Sequence, residues 1–391
     1  MPAFRLSVLI LAASLSPALS APDCGGDFGA FVTAMQGQAV AEGHAKTAAN
    51  RFFGGVSRDP KVIRMDRAQG FFQIPFVEFS HRLISKNRLV NGQRNAKKYD
   101  AVFDRVERQF GVSRGVILAF WAFETDFGAV QGDFNTVNAL MTLAQDCRRP
   151  ELFVPQVMAA LTLYERGDLD PATTTGAWAG EIGMVQMLPA DILANGVDGD
   201  GDGHVRLKTS APDALMSGGN MLRALGWRAN EPWLQEITVP KGLDWRLTGL
   251  NHQQTTAQWE RLGVRPRSGK WAANLPASIL LPEGRDGPAF VAYPNFNVLL
   301  EWNQSFTYVT TAAYFATRLE GAPVFDPGTP APALGQAAMK ALQQKLTARG
   351  HDVGGIDGIL GEKTREAVQT EQERLGLPAD AWPTQDLLDR L

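Results

Sequence analysis

The chain has 391 residues, 45% hydrophobic and 20% charged, a globular composition with room for one large domain and one small one. Its 38 basic and 41 acidic residues leave a net charge of −3, which argues against a nucleic-acid partner. No segment reaches the ~18 consecutive apolar residues of a membrane-spanning helix, so a transmembrane protein is not expected.

Arg5, an apolar run over residues 6–15 and the small-residue site Ala18-Leu19-Ser20 predict a cleaved signal peptide over residues 1–20. The mature chain is therefore expected in the periplasm, as a soluble monomer. Export changes the meaning of the two cysteines, Cys24 and Cys147. In an oxidising compartment such a pair predicts a disulfide.

Residues 24–110 read as helical, with Val102, Phe103, Val106 and Phe110 at helical spacing. The basic stretch over residues 82–98 has two readings, a solvated surface or a groove wall facing an anionic polymer. The chain then reaches its most apolar helix. Residues 116–123 are apolar without a break, so that helix belongs inside a core, and Glu124 stands where the run ends, with Gly128 as a stop. Lost solvation and the negative end of the helix dipole both raise a carboxyl pKa there. A rise from about 4.3 to about 6.3 takes roughly 2.7 kcal/mol and leaves an acid partly protonated at neutral pH. The competing reading makes Glu124 the first solvated residue past a core helix.

Residues 140–143 and 154–164 predict two more helices, the second stopped by Gly167. Next, Gly176, Gly180 and Gly183 allow close backbone approach around Trp178, and Gln186 offers a neutral donor and acceptor. This suits either a wall for a sugar ring or a tightly packed helix pair. Asp198, Asp200 and Asp202, with Gly203 and the His204 carbonyl, follow the spacing that opens a calcium loop. Thr209 stands where a closing Glu is normal, and Asp213 is the candidate to close a longer loop. A metal-free acidic turn is the other reading; weakly bound structural calcium is the one preferred. Residues 227–293 suggest a few strands that cannot be placed, and Asn303 follows an apolar run that leads to a closing helix. Four prolines make residues 321–335 a semi-extended linker. Residues 336–391 then predict three short helices, a small module of the size of a binding domain.

Together these residues resemble a known family. The ordered set Phe123-Glu124-Thr125-Asp126-Phe127-Gly128, Leu140 to Leu143, Arg148-Arg149, Gly176 to Gly180, Gly183, Gln186, Pro189, the acidic loop and Asn303 with Ser305 is similar to B-type lytic murein transglycosylases. Leu342-Gln343, Ile356-Asp357-Gly358 and residues 364–368 resemble the three-helix peptidoglycan-binding domain. The resemblance implies a mainly α architecture: a lysozyme-like catalytic domain over residues 21–320 and a binding domain over residues 336–391. It implies cleavage of the β-1,4 bond between N-acetylmuramic acid and N-acetylglucosamine, with Glu124 as the catalytic acid. Arg148, Arg149, Trp178, Gln186 and Asn303 are implied substrate-binding residues.

A retaining or inverting glycosidase needs two carboxyls, and Asp126, two residues on, points away from Glu124 on a helix. The C6 hydroxyl of the sugar would then be the nucleophile and the product a 1,6-anhydro end, with no cofactor needed for the chemistry. Glu181 stands where the family has a small residue and is given no role. Other departures are Ala177 for a usual Ser, Phe79 for an aromatic position that is often Tyr, and Glu301 and Trp302 for the Arg-Tyr that commonly flanks Asn303. Each lost hydroxyl removes a hydrogen bond worth about 0.5–1.5 kcal/mol. A lysozyme-type hydrolase and a non-catalytic wall-binding scaffold remain the alternatives.

Overall fold

The computed structural model describes residues 23–68 and 74–391, so the expected signal peptide lies outside the described residues. The chain is mainly helical, as expected. Its central element is the helix Arg114–Thr125, capped by the Ser113 hydroxyl on the Gly115 N–H and buried along nearly its whole length. The helix Phe306–Leu319 packs along it. Gly115 makes that approach possible, because a Cβ there would stand 2.8 Å from the Ala316 carbonyl oxygen. Phe123 stacks on Phe315 with ring centroids 5.0 Å apart, fixing the rotation of one helix against the other.

Thr136–Gln145 and Pro150–Arg166 form a second buried pair on the same core. Cys24 and Cys147 are joined, tying the start of the described chain to the end of that first helix. The expected disulfide is present. The basic stretch resolves into two kinds of residue. Lys86, Arg94, Lys97 and Lys98 are exposed, whereas Arg88 turns inward and pairs with Asp126 at 3.1 Å.

The unplaced strands form an antiparallel five-stranded sheet, in the order Gln254–Thr255, Pro276–Leu280, Phe290–Ala292, Leu234–Thr238 and Arg265–Pro266. Its strands are two to five residues long, and Pro276–Leu280 is buried on both faces, so no alternation marks it in the sequence. Trp259, Ile279, Val291 and Tyr293 build a separate core beneath it.

Gln336–Ala348, Glu362–Arg374 and Gln385–Arg390 form the C-terminal module around Leu342, Leu346, Val368 and Leu387. The module docks on the sheet region. Arg365 donates to the carbonyls of Pro282 (2.7 Å) and Leu281 (3.4 Å), and its guanidinium lies over Phe306. Gln369 Nε2 donates to the carbonyls of Trp245 and Thr248, both at 3.0 Å, and Arg285 pairs with Asp380 at 3.1 Å. A cavity of about 190 Å³ remains between the two parts, lined by His252, Phe306, Glu362 and Arg365. The connecting segment is also anchored. Phe325 is buried against Phe76, Phe290 and Tyr314, and the Trp382 indole donates to the Ala331 carbonyl. Side-chain donors of the C-terminal module thus meet main-chain carbonyls of the larger part of the chain.

Candidate active site

Glu124 sits in the last turn of Arg114–Thr125, just before Asp126 and Phe127 turn left-handed at φ 51° and 61° and end the helix. The Thr125 hydroxyl donates to the Met184 carbonyl at 2.6 Å and accepts from the Gly128 N–H at 2.9 Å. That one side chain binds the helix end to the glycine-rich turn. Asp126, in the left-handed turn past the helix end, pairs with Arg88 at 3.1 Å.

Two aromatic donors reach the Glu124 carboxyl from the C-terminal end of the core. Tyr308 donates its hydroxyl to Oε1 at 2.6 Å, and Trp302 donates Nε1 to the same oxygen at 3.3 Å. Trp302 is held by stacking on Phe120, centroids 4.6 Å apart. Among the described residues no hydrogen bond is made to Oε2. Burial pushes the Glu124 pKa up to about 7, the Tyr308 and Trp302 bonds pull against it, and the charge of Glu181 adds to the rise. Burial also raises the Tyr308 hydroxyl well above its ordinary value, with the neighbouring Glu124 charge adding to it. The carboxyl is therefore poised to hold or lose a proton near neutral pH, with one oxygen fixed and one available.

Tyr308 and Trp302 are the residues that sequence reasoning missed as partners of the acid. The helical spacing of Ser305, Tyr308 and Phe315 was the available signal. Phe79 is fully buried in the core, and the phenol at the acid comes from Tyr308 instead. Asn303 caps the helix Pro294–Trp302, and its side chain accepts from the Ser305 N–H at 2.9 Å; no hydrogen bond joins it to Glu124 among the described residues. Gln186, at φ 53°, donates from Nε2 to the Gly183 carbonyl at 2.8 Å, bracing its own turn. Trp178 is half-buried on the main core.

Arg148 and Arg149 both clasp the buried Asp66, at 2.6 and 2.5 Å. Burial works against the Asp66 carboxylate, but bonds and charge from the two arginines outweigh it and hold its pKa below the ordinary value. Much of their charge is thus spent inside the protein. In the acidic loop, Asp198, Asp200 and Asp202 bring oxygens within 4.8 Å of one another, an all-oxygen set that could hold a metal. The Gly203, Gly201 and Asp202 N–H groups keep Asp198 ionised by lowering its pKa. Asp213 lies beneath the loop, where its two oxygens accept N–H bonds from Gly199 (2.9 Å) and Arg206 (2.7 Å). This braces the loop from below.

A carboxyl at a helix end, one oxygen pinned and one free, on a lysozyme-like helical frame, is an arrangement suited to proton transfer. Residues 27–317 match the transglycosylase SLT domain, and the chain belongs to that family. Residues 335–391 match a peptidoglycan binding domain. The chain resembles the crystal structure of SltB3 from Pseudomonas aeruginosa in complex with NAG-anhNAM-pentapeptide, at TM-score 0.86 and 34% identity, over 94% of this chain and 99% of that one. The membrane-bound lytic murein transglycosylase B of Escherichia coli K12 is 25% identical over 235 residues. That match takes in 60% of this chain and 64% of the relative's length. The fold also matches the Escherichia coli lytic transglycosylase Slt35 in complex with calcium, at TM-score 0.65 and 24% identity, over 76% of this chain and 95% of that one.

Proposed function

We propose that the chain is a periplasmic lytic transglycosylase that cleaves the β-1,4 bond between N-acetylmuramic acid and N-acetylglucosamine in peptidoglycan. The observation that carries this reading is the state of Glu124: a carboxyl with a pKa near 7, Oε1 held by Tyr308 and Trp302 and Oε2 without a partner among the described residues. Oε2 gives its proton to the glycosidic oxygen as the C1–O4 bond breaks. The same carboxylate then takes the C6 hydroxyl proton as the C1–O6 bond forms, leaving a 1,6-anhydro end. One group is acid and then base, and a pKa near the working pH serves both steps. No metal or cofactor enters the reaction. Half-buried Trp178 and the turn at Gly183 and Gln186 supply the wall beside the acid, with Asn303 further along. Arg148 and Arg149 contribute what charge Asp66 leaves to them. Residues 336–391 hold the enzyme on the wall polymer.

Asp198, Asp200, Asp202 and the His204 carbonyl hold a calcium ion in a structural role, with Asp213 supporting the loop from beneath. The ion would supply charge neutralisation for three close carboxylates.

Mass spectrometry of purified sacculi digested with the wild type should find fragments one water lighter than hydrolytic ones, and Glu124→Gln should release none. Reducing ends in place of anhydro ends would assign the chain to hydrolysis. Equal digestion by Glu124→Gln would remove Glu124 from the chemistry.

A further inference from the structure

The helix Phe306–Leu319 carries the phenol that holds Glu124, and its two ends are fixed differently. Toward the C-terminal end, Phe315 stacks on Phe123 and the Ala316 carbonyl lies against Gly115. In the middle, the Ser80 and Thr311 hydroxyls meet at 3.2 Å. The first turn, which contains Tyr308, has less behind it. Its capping bond runs from the Tyr308 N–H to the Ser305 hydroxyl at 3.4 Å, long for a hydrogen bond. Cavities of about 190 and 40 Å³ flank the turn, the first lined by Phe306 and the second by Thr307.

Arg365 of the C-terminal module lines both cavities and stands between them. Its guanidinium lies 4.5 Å from the centre of the Phe306 ring and is itself held by the Pro282 carbonyl at 2.7 Å. A guanidinium over a ring holds it by charge as well as by contact, and the attraction is strongest where water is excluded. Both side chains are buried here. The contacts are continuous from the module to the acid. Arg365 holds Phe306, Phe306 shares a helical turn with Tyr308, and Tyr308 donates to Glu124 Oε1 at 2.6 Å. A bond that short depends on alignment, so small movements of the turn weaken it.

We propose that Arg365 is a positioning residue for the reaction: by clamping Phe306 from across the domain joint, it fixes the first turn of the helix and the aim of the Tyr308 hydroxyl at Glu124. The proposal rests on the functional reading above and gives the C-terminal module a task besides holding the polymer. Tyr308 favours the carboxylate, so a loosened first turn leaves the proton more tightly held on Glu124 and slows the step in which it acts as base. The other groups facing this series are Trp302 and Glu181 at Glu124, Arg88 at Tyr308, and Glu362, Glu283 and Asp380 at Arg365.

The test measures turnover of a soluble tetrasaccharide of alternating N-acetylglucosamine and N-acetylmuramic acid by the full chain, so that capture of the polymer does not enter the rate. Arg365→Met keeps the length and removes the charge. It should lower kcat about three- to tenfold, leave KM within about twofold and move the alkaline limb of the pH–rate profile up. Arg365→Lys keeps a cation over the ring and should recover part of the loss. Phe306→Leu takes the ring away from the other side of the joint and should act like Arg365→Met, so it decides the question if Arg365→Met does not fold. Added to Tyr308→Phe, neither substitution should shift the profile further. Arg285→Ala cuts the tie to Asp380 elsewhere on the same joint, and should lower the melting temperature while leaving the profile as in the wild type. A wild-type profile in Arg365→Met or in Phe306→Leu overturns the proposal. So does a further shift on top of Tyr308→Phe, or an equal shift in Arg285→Ala, because general loosening of the joint would then be at work. A wild type that makes no anhydro product from this glycan would sink the functional reading itself, and the role of Arg365 with it.

Discussion

Glu124 and Arg365 are both ionisable groups drawn into the protein, and the chain satisfies them in opposite ways. Arg365 is met on most sides, by the carbonyls of Pro282 and Leu281, the ring faces of Phe306 and Trp382, and the charges of Glu362, Glu283 and Asp380, with its Nε left without a hydrogen-bond partner among the described residues. Burial lowers its pKa only to about 10, so it stays charged at any physiological pH. Glu124 receives two donors on a single oxygen and keeps a pKa near 7. Arg365 keeps its charge at any working pH, whereas Glu124 is left able to gain and lose its proton. One helix touches both, with Phe306 under Arg365 and Tyr308 on Glu124.

The largest test removes the satisfied charge with everything around it. Truncation after Gly321 strips the donors from the Pro282, Trp245 and Thr248 carbonyls and takes Phe325 out of the core. Loss of a buried Phe alone costs about 3–5 kcal/mol, so the truncate should melt well below the full chain and be cut faster by protease. A truncate as stable as the full chain would mean that the docked arrangement contributes nothing to stability.

Next comes the unsatisfied charge. The folded pKa of Glu124 is raised from 4.5 to about 7, so the folded state holds a proton that the unfolded state has lost between those values. Ionised Glu124 therefore costs stability as pH rises through that window, by about 3 kcal/mol above it. Glu124→Gln should leave the melting temperature nearly unchanged at pH 4 and raise it at pH 8. An equal difference at both would show that burial is not perturbing the group. Tyr308→Phe should act on the same carboxyl from the other side. It removes the donor that favours the carboxylate, so the alkaline limb of the pH–rate profile should move up while peak activity falls about tenfold. Trp302→Phe, at the longer 3.3 Å contact, should do less.

The contrast also separates what the sequence discloses from what it hides. An unbroken apolar run ending in Glu124 declares a core helix with an acid at its mouth, and the two cysteines on an exported chain declare their bond. Those inferences need only neighbours in sequence or a count. Tyr308 meets Glu124 across 184 positions, and Arg365 meets the Pro282 carbonyl across 83, where the acceptor is main chain and has no residue type to read. The sheet escaped for a related reason, its strands being too short to show a period. Arg148 and Arg149 were legible as basic residues, but their tie to Asp66 was not.

The smallest effect is expected at the acidic loop, the third place where charge is concentrated. Here three carboxylates are close, Asp200 and Asp202 exposed and Asp198 half-buried, and neither a proton nor a full set of cations settles them. Asp198 is held by backbone N–H groups, Ser210 donates to Asp200 at 2.7 Å, and Arg206 takes one oxygen of Asp202 at 2.8 Å. Calcium binding must displace Arg206 or share its carboxylate, and Thr209 offers no bidentate closure, so affinity should be weak, on the order of 10⁻⁴–10⁻³ M. At tenfold excess over that constant the gain is about 1.4 kcal/mol, a shift of a few degrees in melting temperature. Asp202→Ala should abolish the shift, and Arg206→Ala should enlarge it by freeing an oxygen for the ion. Identical melting in calcium and in chelator would leave the loop held by its own hydrogen bonds, with Asp213 bracing it from below.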